Sequence, residues 1–321
     1  MMYTVKTIAF GTFLAAWSAA VVAQEWPQRP ARVIVPFAAG GNTDAIARIV
    51  TERLSTVFAQ QFVVENRVGA GGAIAAEFVA KSPPDGFTLL MAAVSQIAIL
   101  QYIQKIGYDP VKDFAPISNI GTNPFVLGVH ESVPARSVRE FVDYVKSRPG
   151  QLNYATGGSG TLGHLSSALF VNRAGIAMTH VPYKGGGPAV ADLVAGTVQM
   201  YFGNASELIQ HSKSGKIRLL GVSSTGRAPQ LPDVPAIAES FPGFQTLTWN
   251  GLLVPAGTPA AIVNRVSTEA RKIVREAAVI ARLTNIGVDP LGSTPAEFAE
   301  TIRTDNVVWQ EAVKAAGLKV E

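Results

Sequence analysis

One unit recurs along this chain: a short β-branched run, a glycine-rich turn, then apolar residues at helical spacing. Arg32 to Phe37 (RVIVPF) reads as a buried strand. The turn Ala38-Ala39-Gly40-Gly41-Asn42-Thr43 follows, and then Ile46, Ile49, Val50, Leu54 and Val57 line one helical face. Phe62 to Glu65, turn Gly69-Ala70-Gly71-Gly72 and a helix to about Lys81 repeat the unit, and Thr88 to Ala92 is a third strand. Further on come Leu152 to Thr156 with turn Gly157-Gly158-Ser159-Gly160, and Met178 to Val181 with turn Tyr183-Lys184-Gly185-Gly186-Gly187. Val198 to Phe202 with Gly203-Asn204, and strand Ile217 to Ser223, complete the set. Alternating strand and helix predicts an α/β fold with mostly parallel sheets.

Two long extended segments interrupt the alternation, Phe114 to His130 and Gln245 to Val254. They predict two lobes joined by two crossings: residues 24–124 with 245–321, and residues 125–244. The length of 321 residues agrees, at roughly 150 residues per domain. With 48% hydrophobic residues each lobe can bury a core. Helix starts are marked by Ser137 with Glu140, by Thr258-Pro259 and by Thr294-Pro295-Ala296-Glu297. The last two helices, with Ile262, Val266 and Ile273, then Phe298, Ile302 and Trp309 on their apolar faces, are expected to return to the first lobe.

Residues 1–23 carry one charged side chain, Lys6, ahead of an apolar run from Ile8 to Val22, with small residues at Val21 and Ala23. This reads as a secretory signal cleaved after about Ala23; the run is shorter than the ~20 residues a spanning helix needs. An exported chain has little access to nucleotide cofactors, and none is expected. The absence of cysteine excludes disulfides, thiol nucleophiles and zinc-thiolate sites. The formal charge of +4 is small and spread along the chain, so nucleic acid is not an expected partner.

Function must then sit at the turns. Ligands of parallel sheets bind at the carboxyl ends of the strands. A glycine there lets a ligand approach the backbone, and the following helix offers free N–H groups with partial positive charge. Together these form an anion site. Gly158-Ser159-Gly160-Thr161-Leu162-Gly163 matches the dinucleotide fingerprint G-x-G-x-x-G, but no Asp or Glu occurs from Gly158 through Ala191 to hold a ribose. Gly157-Gly158-Ser159-Gly160-Thr161 fails the hydrolase pattern G-x-S-x-G. With His at 130, 164, 180 and 211, no H-E-x-x-H and no i,i+4 histidine pair exists, and no metal site is expected.

Pro36-Phe37-Ala38-Ala39-Gly40-Gly41-Asn42-Thr43-Asp44 resembles the first glycine loop of the Bug family, the extracytoplasmic solute receptors of tripartite tricarboxylate transporters. The likeness continues through Val64 to Gly72, Pro84 to Leu90, Tyr108 to Phe114, Gly150 to Ala155, His180 to Gly185, Leu231 to Pro235 and Gly251 to Pro259. It implies a two-lobed, type II-like periplasmic-binding-protein fold that closes on a small carboxylated ligand, with a membrane permease as partner, a periplasmic location and no catalysis. A monomer is expected. Carried onto this chain, the ligand contacts fall on Phe37, Ala38, Gly40, Gly41, Asn42, Thr43, Asp44 and Ser95 in the first lobe. In the second they fall on Thr156, Gly157, Ser159, Gly160, Thr161, His164, Tyr183, Lys184, Gly203 and Asn204. Many relatives carry Asp where this chain has Gly203, and its absence argues against a ligand ammonium.

The residues themselves predict that Asn42 or Thr43 caps the first helix and Thr161 its counterpart, leaving unpaired N–H groups facing a carboxylate. Asp44 also suits a purely structural place in the first helical turn, His164 and Tyr183 fit turn packing, and Lys184 fits a solvated side chain. Two other readings stay open: an exported hydrolase using Ser159 and His164, and a sensor presenting the same solute to a membrane kinase.

Overall fold

The structure is a computed structural model that describes residues 26–315; the export signal read at residues 1–23 lies outside them. The elements are, in order, β1 (Ala31–Val35), α1 (Asn42–Phe58), β2 (Phe62–Asn66), α2 (Ala73–Ala80), β3 (Thr88–Ala93), β4 (Phe114–His130), α3 (Val138–Lys146), β5 (Asn153–Thr156), α4 (Leu162–Ala174) and β6 (Thr179–Pro182). Then come α5 (Gly186–Ala195), β7 (Met200–Asn204), α6 (Ala205–Lys213), β8 (Ile217–Val222), β9 (Leu247–Pro255), α7 (Ala260–Ile273), α8 (Ala277–Asn285), β10 (Asp289–Pro290) and α9 (Pro295–Ala315).

One curled sheet runs through both lobes in the order β2-β1-β3-β9-β4-β7-β5-β6, with β8 and β10 also paired to β4. The long strand β4 changes partners midway. Phe114 to Pro124 pair with β9, whereas Phe125 to Val129 pair with β7 and Val126 to His130 with β8. The outer pairs β1–β2, β1–β3, β5–β6 and β5–β7 are parallel, as the strand–helix alternation requires. The pairs involving β4 and β9 are antiparallel. The two strands run oppositely because β4 leaves the first lobe and β9 re-enters it.

The C-terminal helices return to the first lobe. Val263, Val266 and Ile273 of α7 and Val279 and Leu283 of α8 share a buried cluster with Ile46, Val50 and Leu54 of α1 and with β1 and β3. A second cluster joins α2 and α9 of the first lobe to α3 and α4 of the second. The capping reading at Thr294 holds on both arms: Glu297 N–H donates to Thr294 Oγ1 (3.2 Å) and Thr294 N–H to the Glu297 carboxylate (2.7 Å). Ser137 likewise accepts from Glu140 N–H. Thr258 does not cap α7. Pro259 holds the cap position, and the buried Thr258 hydroxyl donates back to the Pro255 carbonyl at 2.7 Å.

Gly251 on β9 marks how closely α9 seats on the sheet. A Cβ there would lie 2.3 Å from Phe298 Cζ and 3.1 Å from the Ser118 carbonyl, and Phe298 is already wedged edge-on against Trp249. Gly251→Ala is expected to destabilise the protein by about 1–3 kcal/mol through overpacking, read as a fall in the midpoint of thermal denaturation. An unchanged midpoint would show that α9 is free to shift.

Candidate ligand-binding site

Where β4 and β9 cross, the N-terminus of α1 from the first lobe faces those of α4, α5 and α6 from the second. Between them lies a cavity of ≈ 50 Å³, room for about four waters at roughly 10–15 Å³ each. Of the residues predicted as ligand contacts, Phe37, Gly41, Asn42, Thr43, Ser95, Gly157, Thr161, Gly203 and Asn204 line it. Ala38, Gly40, Asp44, Thr156, Ser159, Gly160, His164, Tyr183 and Lys184 do not. Ser159, Tyr183 and Lys184 instead line a neighbouring groove that shares Phe37 and Gly157 with the cavity. The walls also include Tyr201, Glu207, Thr248 and Asn250, none of them among the predicted contacts.

The first N–H group of α1 and of α4 is not left as a free donor. Gly41, in extended conformation, caps α1, and neither Asn42 nor Thr43 makes a side-chain cap. The Asn42 N–H instead donates to Glu207 Oε1 of the other lobe at 3.1 Å. Reciprocally, the Leu162 N–H at the start of α4 donates to Ser95 Oγ of the first lobe at 3.0 Å. Thr161 caps α4 as predicted, its hydroxyl accepting from His164 N–H. With the lobes closed these N–H groups are buried and need partners, and each lobe supplies one to the other. Ser206 Oγ–H to Asn42 Oδ1 (2.8 Å) and Ala38 N–H to the Lys184 carbonyl (3.1 Å) add to the seam.

Glu207 is the residue on which the second lobe's wall is built. Asn204 and Glu207 form a capping box on α6, so Glu207 Oε2 accepts from Asn204 N–H at 3.1 Å. The same oxygen accepts from the Tyr201 hydroxyl at 2.7 Å. Burial raises the Glu207 carboxyl above its ordinary range, against the pull of its donors Tyr201, Asn42 and Asn204. With the Tyr201 ring in this position, residue 203 has no room for a side chain, because a Cβ would sit 2.1 Å from the ring. Gly203 therefore does not leave the cavity without an acid, as its side chain alone implies; an acid stands at 207. Its oxygens are already engaged, so it is not an open partner for an ammonium.

Asp44 is held by its own lobe. It accepts from Gly40 N–H (3.0 Å), Asn66 Nδ2 (2.9 Å) and both arms of Arg48 (2.9 and 3.0 Å). Burial works to raise its carboxyl, but these donors outweigh it and hold it below the usual range. Tyr183 donates to Asp192 at 2.5 Å, and burial with that partner pushes the phenol up to about 12. His164 Nδ1 accepts from Gly160 N–H at 3.2 Å, and its ring lies flat on His180 with centroids 4.1 Å apart. His180 in turn stacks on Tyr154 and reaches Thr156 Oγ1 at 2.7 Å. His164 thus braces the glycine loop, and among the described residues no hydrogen bond joins it to Ser159. A signal for Glu207 does exist in the sequence, the N-x-x-E capping pattern at 204–207, but it points to a helix start and says nothing of the opposite lobe. Asn250 carries no local signal at all.

Residues 46–318 match the profile of the tripartite tricarboxylate transporter family receptor. A protein encoded between tcbD and tcbE in Pseudomonas sp. strain P51 is 37% identical over 96% of this chain and 93% of its own. BugT of Bordetella pertussis is 34% identical over 95% and 94%. Among solved structures, Rpa4515 of R. palustris with adipate superposes with a TM-score of 0.90 at 35% identity, covering 92% of this chain and all of that one. MatC from Rhodopseudomonas palustris with bound malate gives 0.85 at 32%, covering 90% and 100%.

The histidine stack sets a pH dependence. Burial lowers His164, and burial with the neighbouring His164 lowers His180 to about 4, from an ordinary 6.5. A base whose pKa falls on folding adds stability above its unfolded value and loses it as pH drops toward the folded one. The melting temperature is therefore expected to fall between pH 6.5 and about 4, and to fall less in His180→Gln. Equal slopes in the two proteins would show that the stack does not titrate with folding.

Proposed function

This chain belongs to the tripartite tricarboxylate transporter receptor family, and from that premise we propose that it captures a small carboxylated solute between its lobes and delivers it to the permease of such a transporter. Receptors of this family are periplasmic solute-binding proteins, and among the described residues no helix is long and apolar enough to cross a membrane. In this reading residues 24–124 with 245–321 form one rigid lobe and residues 125–244 the other. They hinge where β4 changes partners and where the chain returns to β9.

The observation that carries the proposal is the cavity walled by helix N-termini of both lobes. Such ends favour anions, and closure removes the water that would screen them. Since the first N–H groups of α1 and α4 are spent on the seam, the holding falls to the N–H groups behind them, Thr43 and Gly163 on the cavity wall, and to side chains. Ser95 Oγ accepts from Leu162 and keeps its own proton for a ligand oxygen. The Asn42 amide nitrogen faces the cavity without a protein partner. Adipate and malate in the related structures are carboxylates of a comparable kind.

Thermal-shift titration with mono-, di- and tricarboxylates and their amides tests this. A true ligand at ~100 times its Kd should add about 2.7 kcal/mol, several degrees, and the matching amide almost nothing. Ser95→Ala should weaken binding. Gly160→Val should abolish it with an intact circular-dichroism spectrum, because a Cβ there meets Ile103 Cδ1 at 2.6 Å and props the lobes apart. Equal shifts from acids and amides would end the proposal.

A further inference from the structure

We propose that Asn250 selects the ligand by a hydroxyl group, so that the cavity takes small hydroxy-carboxylates in preference to their unsubstituted, keto and amino counterparts. This rests on the solute-capture reading above. Asn250 lies on β9, opposite Ala93 of β3 and Gly121 of β4. It is 1% exposed and lines the cavity. Among the described residues neither its Oδ1 nor its Nδ2 has a hydrogen-bond partner, so the assignment of amide oxygen and nitrogen does not matter. Buried carboxamides are ordinarily satisfied, and one left wholly unpaired at the wall of a cavity is matched to something that enters it.

The chemistry of the unpaired atoms defines that something. Asn42 Nδ2 and Asn250 Nδ2 are donors and suit carboxylate oxygens. Asn250 Oδ1 is an acceptor, and no carboxylate or ketone oxygen can serve it. The ligand must bring a donor of its own. An ammonium would want a free counter-charge, whereas the nearby Glu207 oxygens are already bonded to Asn42, Asn204 and Tyr201. A hydroxyl donates to Oδ1 and accepts from Nδ2 at once, which uses both ends of the amide.

Isothermal titration of the mature protein with matched series tests the assignment: malate, succinate, oxaloacetate and aspartate, and 2-hydroxyadipate, adipate, 2-oxoadipate and 2-aminoadipate. In at least one series the hydroxy acid should bind about ten- to a hundredfold more tightly than the others. Asn250→Leu should erase that difference while melting, without ligand, at or above the wild-type temperature, since it removes unpaired polar atoms. If Asn250→Leu fails to fold, the smaller Asn250→Ala decides: it removes both ends of the amide and should bind each hydroxy acid no more tightly than its unsubstituted counterpart. A hydroxyl preference that survives in Asn250→Leu or Asn250→Ala, or wild-type binding indifferent to the hydroxyl, overturns the assignment and leaves solute capture standing. Failure of every acid in both series overturns both.

Discussion

Two backbone N–H groups, at the starts of α1 and α4, are satisfied across the lobe boundary, and the seam between the lobes rests on that exchange. Leu162 N–H goes to Ser95 and Asn42 N–H to Glu207. A buried amide without a partner costs about 1–3 kcal/mol, so each lobe supplies an acceptor that the other lobe's helix end needs. The helix ends that would attract an anion are thereby used first to define the closed geometry. What remains open on the cavity wall is a small set of side-chain atoms and the N–H groups of Thr43 and Gly163.

Glu207 ties this arrangement together. One carboxylate caps its own helix, fixes the Tyr201 hydroxyl and reaches the first helix of the opposite lobe. The arrangement needs glycine at 203 for the tyrosine ring and at 186 for the carboxylate, since a Cβ at 186 would lie 2.0 Å from Glu207 Oε1. Burial of the acid opposes its ionisation, as its raised pKa records. Together with the unpaired Asn250, it shows local stability given up at the cavity wall, while cores on both faces of the sheet carry the fold.

Several glycines that read as places for a ligand to approach the backbone are places where the lobes approach each other. A Cβ on Gly71 would lie 2.7 Å from the Ser159 carbonyl, and one on Gly185 would lie 2.9 Å from Ala38 N. The same absence of a side chain serves both ends, and a turn sequence cannot tell them apart. The strands that join the lobes are similarly double in role. β4 contributes one half to each lobe's sheet, its partner changing between Pro124 and Phe125.

What the sequence determined by itself was local. Strand–turn–helix order, the caps at Ser137, Thr161 and Thr294, and the two long extended segments are set by residues a few positions apart, whose torsional and hydrogen-bonding preferences act wherever the rest of the chain goes. The family likeness, carried by strings such as Pro36 to Asp44 and Gly251 to Pro259, brought the two-lobed fold with it. Tertiary structure alone decided which donors are spent and which remain. Asn42 and Glu207 are 165 positions apart, and Ser95 and Leu162 are 67 apart. No short-range pattern encodes such a meeting, because it depends on how two packed lobes orient their helix ends. Asp44 and His164 were drawn into structural bonds by near neighbours, and Glu207 and Asn250 were delivered to the cavity by the facing helix and the crossing strand.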